Sequence, residues 1–527
     1  MRPLIQAIAS PKTPEALAEK CRPEPGLALL RSSLFGSPHA RYSFLAARPF
    51  LLFRSFGMRC ELLSPHGSRV ELGDPWRVLS GLMSRYELLD DPDLPFPLGG
   101  CFGFWGYDLN RFTEPKLALR SENASALPDA QVGFYGSLIA FDHWLDKTWI
   151  ISTGLSEDGS RNEERARREA DWWLDRLLDN SPGPERESSA APSAPREFGT
   201  FPTPAHPVTS SADGFDSSWP HGPALSLSDS VFSNFSRTAF VERVERARSW
   251  IRRGDIYQVN LSQRLTAPLN VPGWEFFQKL NAVSPAPFSA FLDLGEFQLA
   301  SSSPELFLRL SGAQVQTCPI KGTRARSGDP CRDAQLAYEL QTSPKETAEL
   351  VMITDLLRND LGKCCEFGTV QTPDLLRLER FPHVQHLVST VEGRLRAGIC
   401  HLDAFASCFP GGSITGAPKF RAMEIIDELE ATKRGPYTGA LGYLGFNRES
   451  QLSIIIRTAI CQRSAVHFSV GAGIVADSDA DAEYEETLVK ARGFFNALRL
   501  DLPSAEAARS GLELSSPAPA TPPGHSG

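Results

Sequence analysis

Lys321 stands in Pro319-Ile320-Lys321-Gly322-Thr323-Arg324, an amine set directly before a glycine turn. A lysine freed of its proton is a nucleophile that can divide one hard displacement into two easier ones, whereas an isolated lysine is ordinarily a solvated surface cation. Just upstream, the apolar run from Phe297 to Leu310 is interrupted by Ser301-Ser302-Ser303-Pro304-Glu305. A carboxylate and an amine therefore fall at the ends of neighbouring strands, and Glu305 and Lys321 become candidates for proton transfer or covalent chemistry.

Two further sets of carboxylates lie at helical spacing. Glu346 and Glu349 are three residues apart, as are Glu483 and Glu486, with Lys490 one turn beyond Glu486. Residues at this spacing share a helix face. A solvated face explains such pairs by itself; two such faces converging would offer oxygen ligands to Mg²⁺, which keeps several waters and binds partly through an anionic substrate. No close His/Cys cluster supports a softer metal.

The segment Phe409-Pro410-Gly411-Gly412-Ser413-Ile414-Thr415-Gly416-Ala417-Pro418-Lys419 leads into a helix pattern, and Gly471-Ala472-Gly473 closes a strand pattern. Backbone N–H groups at such places bind carboxylates as well as phosphates. The order of neither a P-loop nor a dinucleotide fingerprint is present. Arg457, alternating out of LSIIIRTAIC, is either a snorkelling edge residue or a bidentate carboxylate clamp. His386, with His383 close by, is either a satisfied histidine or a hydrogen-bonding partner for an anionic group. Together these residues describe an enzyme for a small polycarboxylate that uses Mg²⁺.

The elements that must position them read as α+β. Strand patterns include RYSFLAARPFLLFRSF, VGFYGSLIAFDHWLDKTWIIST, IYQVNLSQRLTA, ALGYLGF and LSIIIRTAIC. Helices are expected around Pro75–Tyr86 and 161–178. Another covers TAFVERVERARSWIRRGD, where Val241, Val244, Ala247 and Trp250 are spaced for one face. A helix opens at Pro344 and is closed by Gly362, and two more cover APKFRAMEIIDELE and ADAEYEETLVKARGFFNALR. Hairpins mixed with helices predict large antiparallel sheets, β-sandwich-like, with helices packed outside. Residues 1–180 form a strand-rich amino-terminal region, 181–225 a Pro/Ser-rich linker or insertion, 226–500 the catalytic region, and 501–527 a disordered tail.

Across its 527 residues the chain carries a formal charge of -9, which argues against a nucleic-acid partner. The start lacks a long apolar run and no later run reaches bilayer length, so a soluble cytoplasmic protein is expected. Ten cysteines without a Cys-x-x-Cys read as reduced and structural, with Cys364-Cys365 in a strand after Gly362-Lys363.

Nine segments in order, GDIYQVNLSQR, SSSPELFL, PIKGTRAR, ELVMITDLLRNDLG, HVQHLVSTVEG, FPGGSITGAPK, YTGALGY, IIIRTA and GAGIVADSDADAEYEETLVKA, resemble the chorismate-utilising enzymes. LLRSS, RYSF and GFWGYDL resemble the amino-terminal part of the same family. The resemblance is strongest to the branch that forms aminodeoxychorismate, on the path to 4-aminobenzoate and folate, because relatives that form anthranilate or isochorismate carry Ala where this chain has Lys321. It implies that Lys321 adds at C2 of the chorismate ring as the C4 hydroxyl leaves, that ammonia then attacks C4 and expels the lysine from C2, and that Glu305 protonates the departing hydroxyl. It implies Mg²⁺ held by Glu349 and Glu486, with Glu346 and Glu483 behind, through water.

Arg457 and the amides around Gly471 and Gly473 would hold the enolpyruvyl carboxylate, with Thr323 and Tyr443 shaping the pocket and Lys490 adding a cation. His386 matches a histidine that assists pyruvate loss in anthranilate-forming relatives. Gln258 stands where water-using relatives place a base lysine. No amidotransferase segment is recognisable, so ammonia is expected from solution or from a separate glutamine amidotransferase subunit.

Overall fold

The strand Phe288–Asp293 shows how the layers form. Ala290 and Leu292 enter one apolar core while Phe291, on the opposite face, enters another, the period-two alternation of a strand buried on both sides. Ala28 and Leu29 divide in the same way on the neighbouring strand Ala28–Arg31, as do Leu299 and Ala300 on Gln298–Ser303. The computed structural model describes residues 2–9, 12–34, 40–88, 94–117, 127–179, 225–228, 230–381, 384–430 and 432–500. The expected tail at 501–527, and all of the expected linker at 181–225 except its last residue, lie outside them. Leu225 already belongs to a strand, Leu225–Ser228.

Two antiparallel sheets, of 13 and 12 described strands, make the frame. The first sheet joins amino-terminal to carboxy-terminal strands where Ala28–Arg31 pairs with Phe288–Asp293. In the second, Gly100–Trp105 pairs with Ala440–Gly445. One core holds inner residues of both sheets, among them Leu292, Leu299, Phe104 and Leu308. The outer face of the first sheet is covered by helices that include Glu163–Leu178, Arg237–Arg253, Lys419–Leu429 and Ala480–Leu498. Pro75–Tyr86, Pro344–Gly362 and His401–Cys408 pack against the second. This is the expected α+β arrangement. Among the described residues no helix is long and apolar enough to cross a membrane.

Several local expectations change. LSIIIRTAIC is not one strand: Glu449–Ile454 belongs to the second sheet and Thr458–Gln462 to the first. Cys364 lies in a turn and Cys365 in an isolated bridge to Leu395, because the chain reverses after the Pro344–Gly362 helix before it can extend. Gly362 is the last residue of that helix, with Lys363 as its cap. On Arg237–Arg253 the buried stripe is Phe240, Val244 and Ala247, with Val241 and Trp250 at its margins.

Candidate active site

The split of LSIIIRTAIC creates the site. The chain passes between sheets twice at one place, from Gln298–Ser303 to Leu306–Ser311 and from Glu449–Ile454 to Thr458–Gln462. Glu305 lies in the first crossover and Arg457 in the second. Arg457 therefore does not alternate out of a strand; it sits at φ 51°, a left-handed backbone that a non-glycine residue holds only when its surroundings fix it.

Glu305 is 7 % exposed. Burial pushes its carboxyl above the ordinary range, against a hydrogen bond from Ser413 and the charges of Lys321 and Lys490. Ser413 belongs to the glycine segment, which Lys419 secures from beneath. The Lys419 ammonium is buried, 2.5 Å from Asp360 and within hydrogen-bond reach of the Cys408 and Pro410 carbonyls.

Lys321 and Thr323 lie on the strand Ile320–Ala325, whose pairing with Val384–Arg394 shifts register between them, around Gly322 at φ 68°. A Cβ on Gly322 would lie 3.0 Å from Glu346 Oε2, so the missing side chain lets the Pro344–Gly362 helix approach the strand. A Cβ on Gly473 would lie 2.5 Å from Gln258 Nε2 and 3.8 Å from Lys321 Nζ. Lys321, Gln258 and Gly473 thus meet at one wall. Gln258 is 1 % exposed and its Oε1 has no hydrogen-bond partner.

The two helices bring their carboxylates to the same space. Burial raises the Glu349 carboxyl; Lys321 and Lys345 oppose this, and Glu346 and Glu486 reinforce it. Burial also raises Glu483, against a 2.6 Å hydrogen bond from Ser478. Glu486 lies below its ordinary range: partial burial pushes upward, but Lys490, at 2.6 Å, together with Lys345 and Lys321, outweighs it. Among the described residues no three His, Cys, Asp or Glu side chains are gathered closely enough to hold a metal by themselves. Carboxylates from two helices, Glu349 and Glu486 among them, nevertheless lie near enough for their charges to interact. This fits Mg²⁺, an ion that takes one or two protein carboxylates and completes its shell with water and substrate.

Beside the carboxylates stands a wall suited to an anionic group. Lys490 Nζ donates to the Gly471 carbonyl at 2.8 Å, and burial lowers its pKa against the pull of Glu486. Burial likewise lowers Arg457, opposed by Tyr437 and Glu486. A Cβ on Gly471 would lie 2.8 Å from the Tyr437 hydroxyl and 3.2 Å from Asn260 Nδ2. His386 Nδ1 and Thr323 Oγ1 are 2.8 Å apart. Burial pushes His386 down to about 4, so its ring is neutral at pH 7.

The structure therefore gathers Lys321, Glu305, Glu346, Glu349, Glu483, Glu486, Lys490, Arg457, Gly471, Gly473, Thr323 and His386 around one space. Tyr443 is elsewhere: its ring lies 5.1 Å from Phe44 and 5.3 Å from Phe102, within the core between the sheets. His383 lies outside the described residues. Sequence reasoning did not single out Tyr437, Asn260, Ser413 and Lys345. Tyr437 opens the same YTGALGY segment that drew attention to Tyr443, and Asn260 shares a strand face with Gln258.

Residues 40–496 match the family described as chorismate binding enzyme. Anthranilate synthase component 1 of Acetivibrio thermocellus is 36 % identical over 502 residues, 94 % of each chain. Aminodeoxychorismate synthase component 1 of Salmonella typhimurium is 37 % identical over 478 residues, 90 % of this chain and 93 % of that one. The crystal structure of anthranilate synthase component I from Streptococcus pneumoniae superposes with a TM-score of 0.69 at 31 % identity, covering 87 % of this chain and 93 % of that chain. Matches of this extent make the chain a member of the chorismate-binding enzyme family.

Proposed function

We propose that this chain aminates chorismate to 4-amino-4-deoxychorismate, as the large component of an aminodeoxychorismate synthase. The observation that carries the reading is the amine of Lys321 at the wall of Gly473 and Gln258, close enough to Glu305 for the two charges to interact.

Buried Glu305 keeps its proton to higher pH than an exposed carboxyl and gives it to the C4 hydroxyl, which leaves as water. Lys321 Nζ, as the free amine, bonds to C2 while the two ring double bonds shift and release the C4–O bond. Ammonia then bonds to C4, the double bonds shift back, and Lys321 leaves as the free amine. The surplus proton on the new nitrogen passes to the Glu305 carboxylate and restores the acid. Arg457, Tyr437 and the amides near Gly471 and Gly473 hold the enolpyruvyl carboxylate. Glu349 and Glu486 would ligate Mg²⁺, with Glu346 and Glu483 reaching it through water, and the bound ion would supply positive charge for the ring carboxylate. Gln258, a side chain that is not a base, supports ammonia over water as the attacking group.

A second reading is anthranilate formation with loss of pyruvate. Relatives of that name match as well as aminodeoxychorismate synthases do, and the neutral His386 beside Thr323 suits a hydrogen-bonding role in that loss. Incubating purified chain with chorismate, Mg²⁺ and ammonium separates the two. The expected product is 4-amino-4-deoxychorismate; accumulation of anthranilate and pyruvate would replace the first reading by the second. Ammonium salts should suffice, increasingly at alkaline pH, while glutamine should serve only when a separate amidotransferase is added. Glutamine-dependent turnover by this chain alone would overturn the partner.

A further inference from the structure

Arg434 makes none of the contacts that the proposed chemistry uses, yet it ties together the segments that bound the site. All five of its N–H groups are donated. Nε and Nη2 form a fork onto Glu430 at 2.8 and 2.7 Å; Nη2 also reaches the Asn260 carbonyl at 2.8 Å. Nη1 reaches the Ile414 carbonyl and Thr438 Oγ1, both at 3.1 Å. Glu430 in turn accepts from the backbone and hydroxyl of Ser262.

The guanidinium lies 4.7 Å from the centre of the Tyr107 ring and 5.7 Å from that of Tyr437. The turn that follows is clasped from the amino-terminal region, where Tyr107 N donates to the Gly435 carbonyl at 2.8 Å and Gly435 N to Asp108 at 2.9 Å.

A buried ion pair is a poor source of net stability, because desolvation offsets most of its attraction. A planar fork with every donor used fixes geometry instead. Three of its acceptors belong to residues beside site groups. Asn260 places its own amide near Gly471, Thr438 follows Tyr437, and Ile414 follows Ser413, the partner of Glu305. We infer that Arg434 is a positioning residue for chorismate: it sets the Tyr437 hydroxyl and the Asn260 amide against the Gly471 wall before the substrate arrives. The inference rests on chorismate use and not on which product is formed.

The test follows chorismate disappearance with Mg²⁺ and ammonium, so a chain that made anthranilate would still report on Arg434. Arg434→Lys keeps the charge but has three donors in place of five. It should raise KM for chorismate about tenfold while changing kcat much less. In a Tyr437→Phe background the same substitution should raise KM only about two- to threefold, because the group it positions is gone. An equal rise in KM in both backgrounds would mark Arg434 as a general structural support and overturn the inference. If Arg434→Lys does not fold, Glu430→Gln carries the same comparison: it keeps the acceptor but removes the charge that holds the fork, and the same two outcomes decide.

Discussion

Glu305 and Arg457 are tied together through the backbones of two adjacent crossovers. The amide of Ile454, on the strand leading to Arg457, donates to the Glu305 carbonyl at 3.1 Å, and the amide of Ser302, on the strand leading to Glu305, donates to the Arg457 carbonyl at 3.0 Å. The two backbones thus fix one another, and a carboxyl and a guanidinium sit on one seam between the sheets. A displacement of one crossover must carry the other with it.

Glu305→Gln preserves shape and a hydrogen-bond donor but has no acidic proton to give. We expect kcat to fall by about 10²–10⁴-fold with KM for chorismate little changed. A loss confined to KM would remove Glu305 from the acid role. In the wild type the raised pKa means that the acid form persists beyond the ordinary carboxyl range. kcat at saturating free ammonia should therefore decline as pH rises through that pKa, and not as it falls.

Lys321→Ala should abolish most amination yet leave chorismate binding. The emptied space beside Gly473 admits ammonia or water to C2, so a slow C2-substituted product is expected. Wild-type enzyme quenched with chorismate in the absence of ammonia should carry an added mass on Lys321, read by intact-protein and peptide mass spectrometry. Formation of 4-amino-4-deoxychorismate by Lys321→Ala at the wild-type rate would reduce the lysine to an electrostatic role.

Gly473→Ala places a methyl group against Gln258 Nε2. The amide is the end of a flexible side chain, so the fold should survive with its melting temperature nearly unchanged, while the shifted amide crowds Lys321. Displacing reacting groups by this order costs about 10²-fold in rate. Wild-type kcat/KM in Gly473→Ala would show that this wall is not close to the reacting atoms.

The four glutamates should separate in a magnesium titration followed by calorimetry. Glu346→Gln and Glu483→Gln, acting through water, should weaken binding about 10–100-fold, the range for residues that orient ligands from behind. Glu349→Gln and Glu486→Gln should weaken it further. Equal affinity in all four variants would return these carboxylates to a solvated helix face.

Asp108 offers a check on stability. Burial, with Asp129 adding repulsion and Gly435, Lys433 and Arg111 opposing, pushes its carboxyl up to about 7. Its folded pKa exceeds its unfolded one, so the folded chain binds more protons between pH 4 and 7 and stability falls as pH rises through that window. Asp108→Asn should flatten this slope and raise the melting temperature at pH 8 above that of the wild type. A steeper slope in the variant would contradict the assignment.

Much of this site was legible because its carboxylates and Lys490 obey helical spacing, and because Lys321 precedes a glycine at positive φ. The break at Arg457 was not. LSIIIRTAIC is mostly apolar, with Arg457 its only charge, and a crossover buried between sheets needs the same apolar composition as a strand. No glycine or proline marks the left-handed turn, since it is enforced by neighbours distant in sequence. Tyr437 and Tyr443 posed the converse difficulty: two tyrosines in one segment, one at the site and one in the core, differ only in which strand and turn they meet.

The interleaving of the sheets bears on how the chain tolerates being cut. Strands from before residue 180 are the hydrogen-bonding neighbours of Phe288–Asp293 and Ala440–Gly445, so neither portion owns a finished sheet. Expressed alone, the carboxy-terminal portion would present raw edges inside what should be its own interior, and such edges invite aggregation. A chain severed between 179 and 225 after folding has no such difficulty: its two fragments remain each other's missing strands, and should migrate together until denatured.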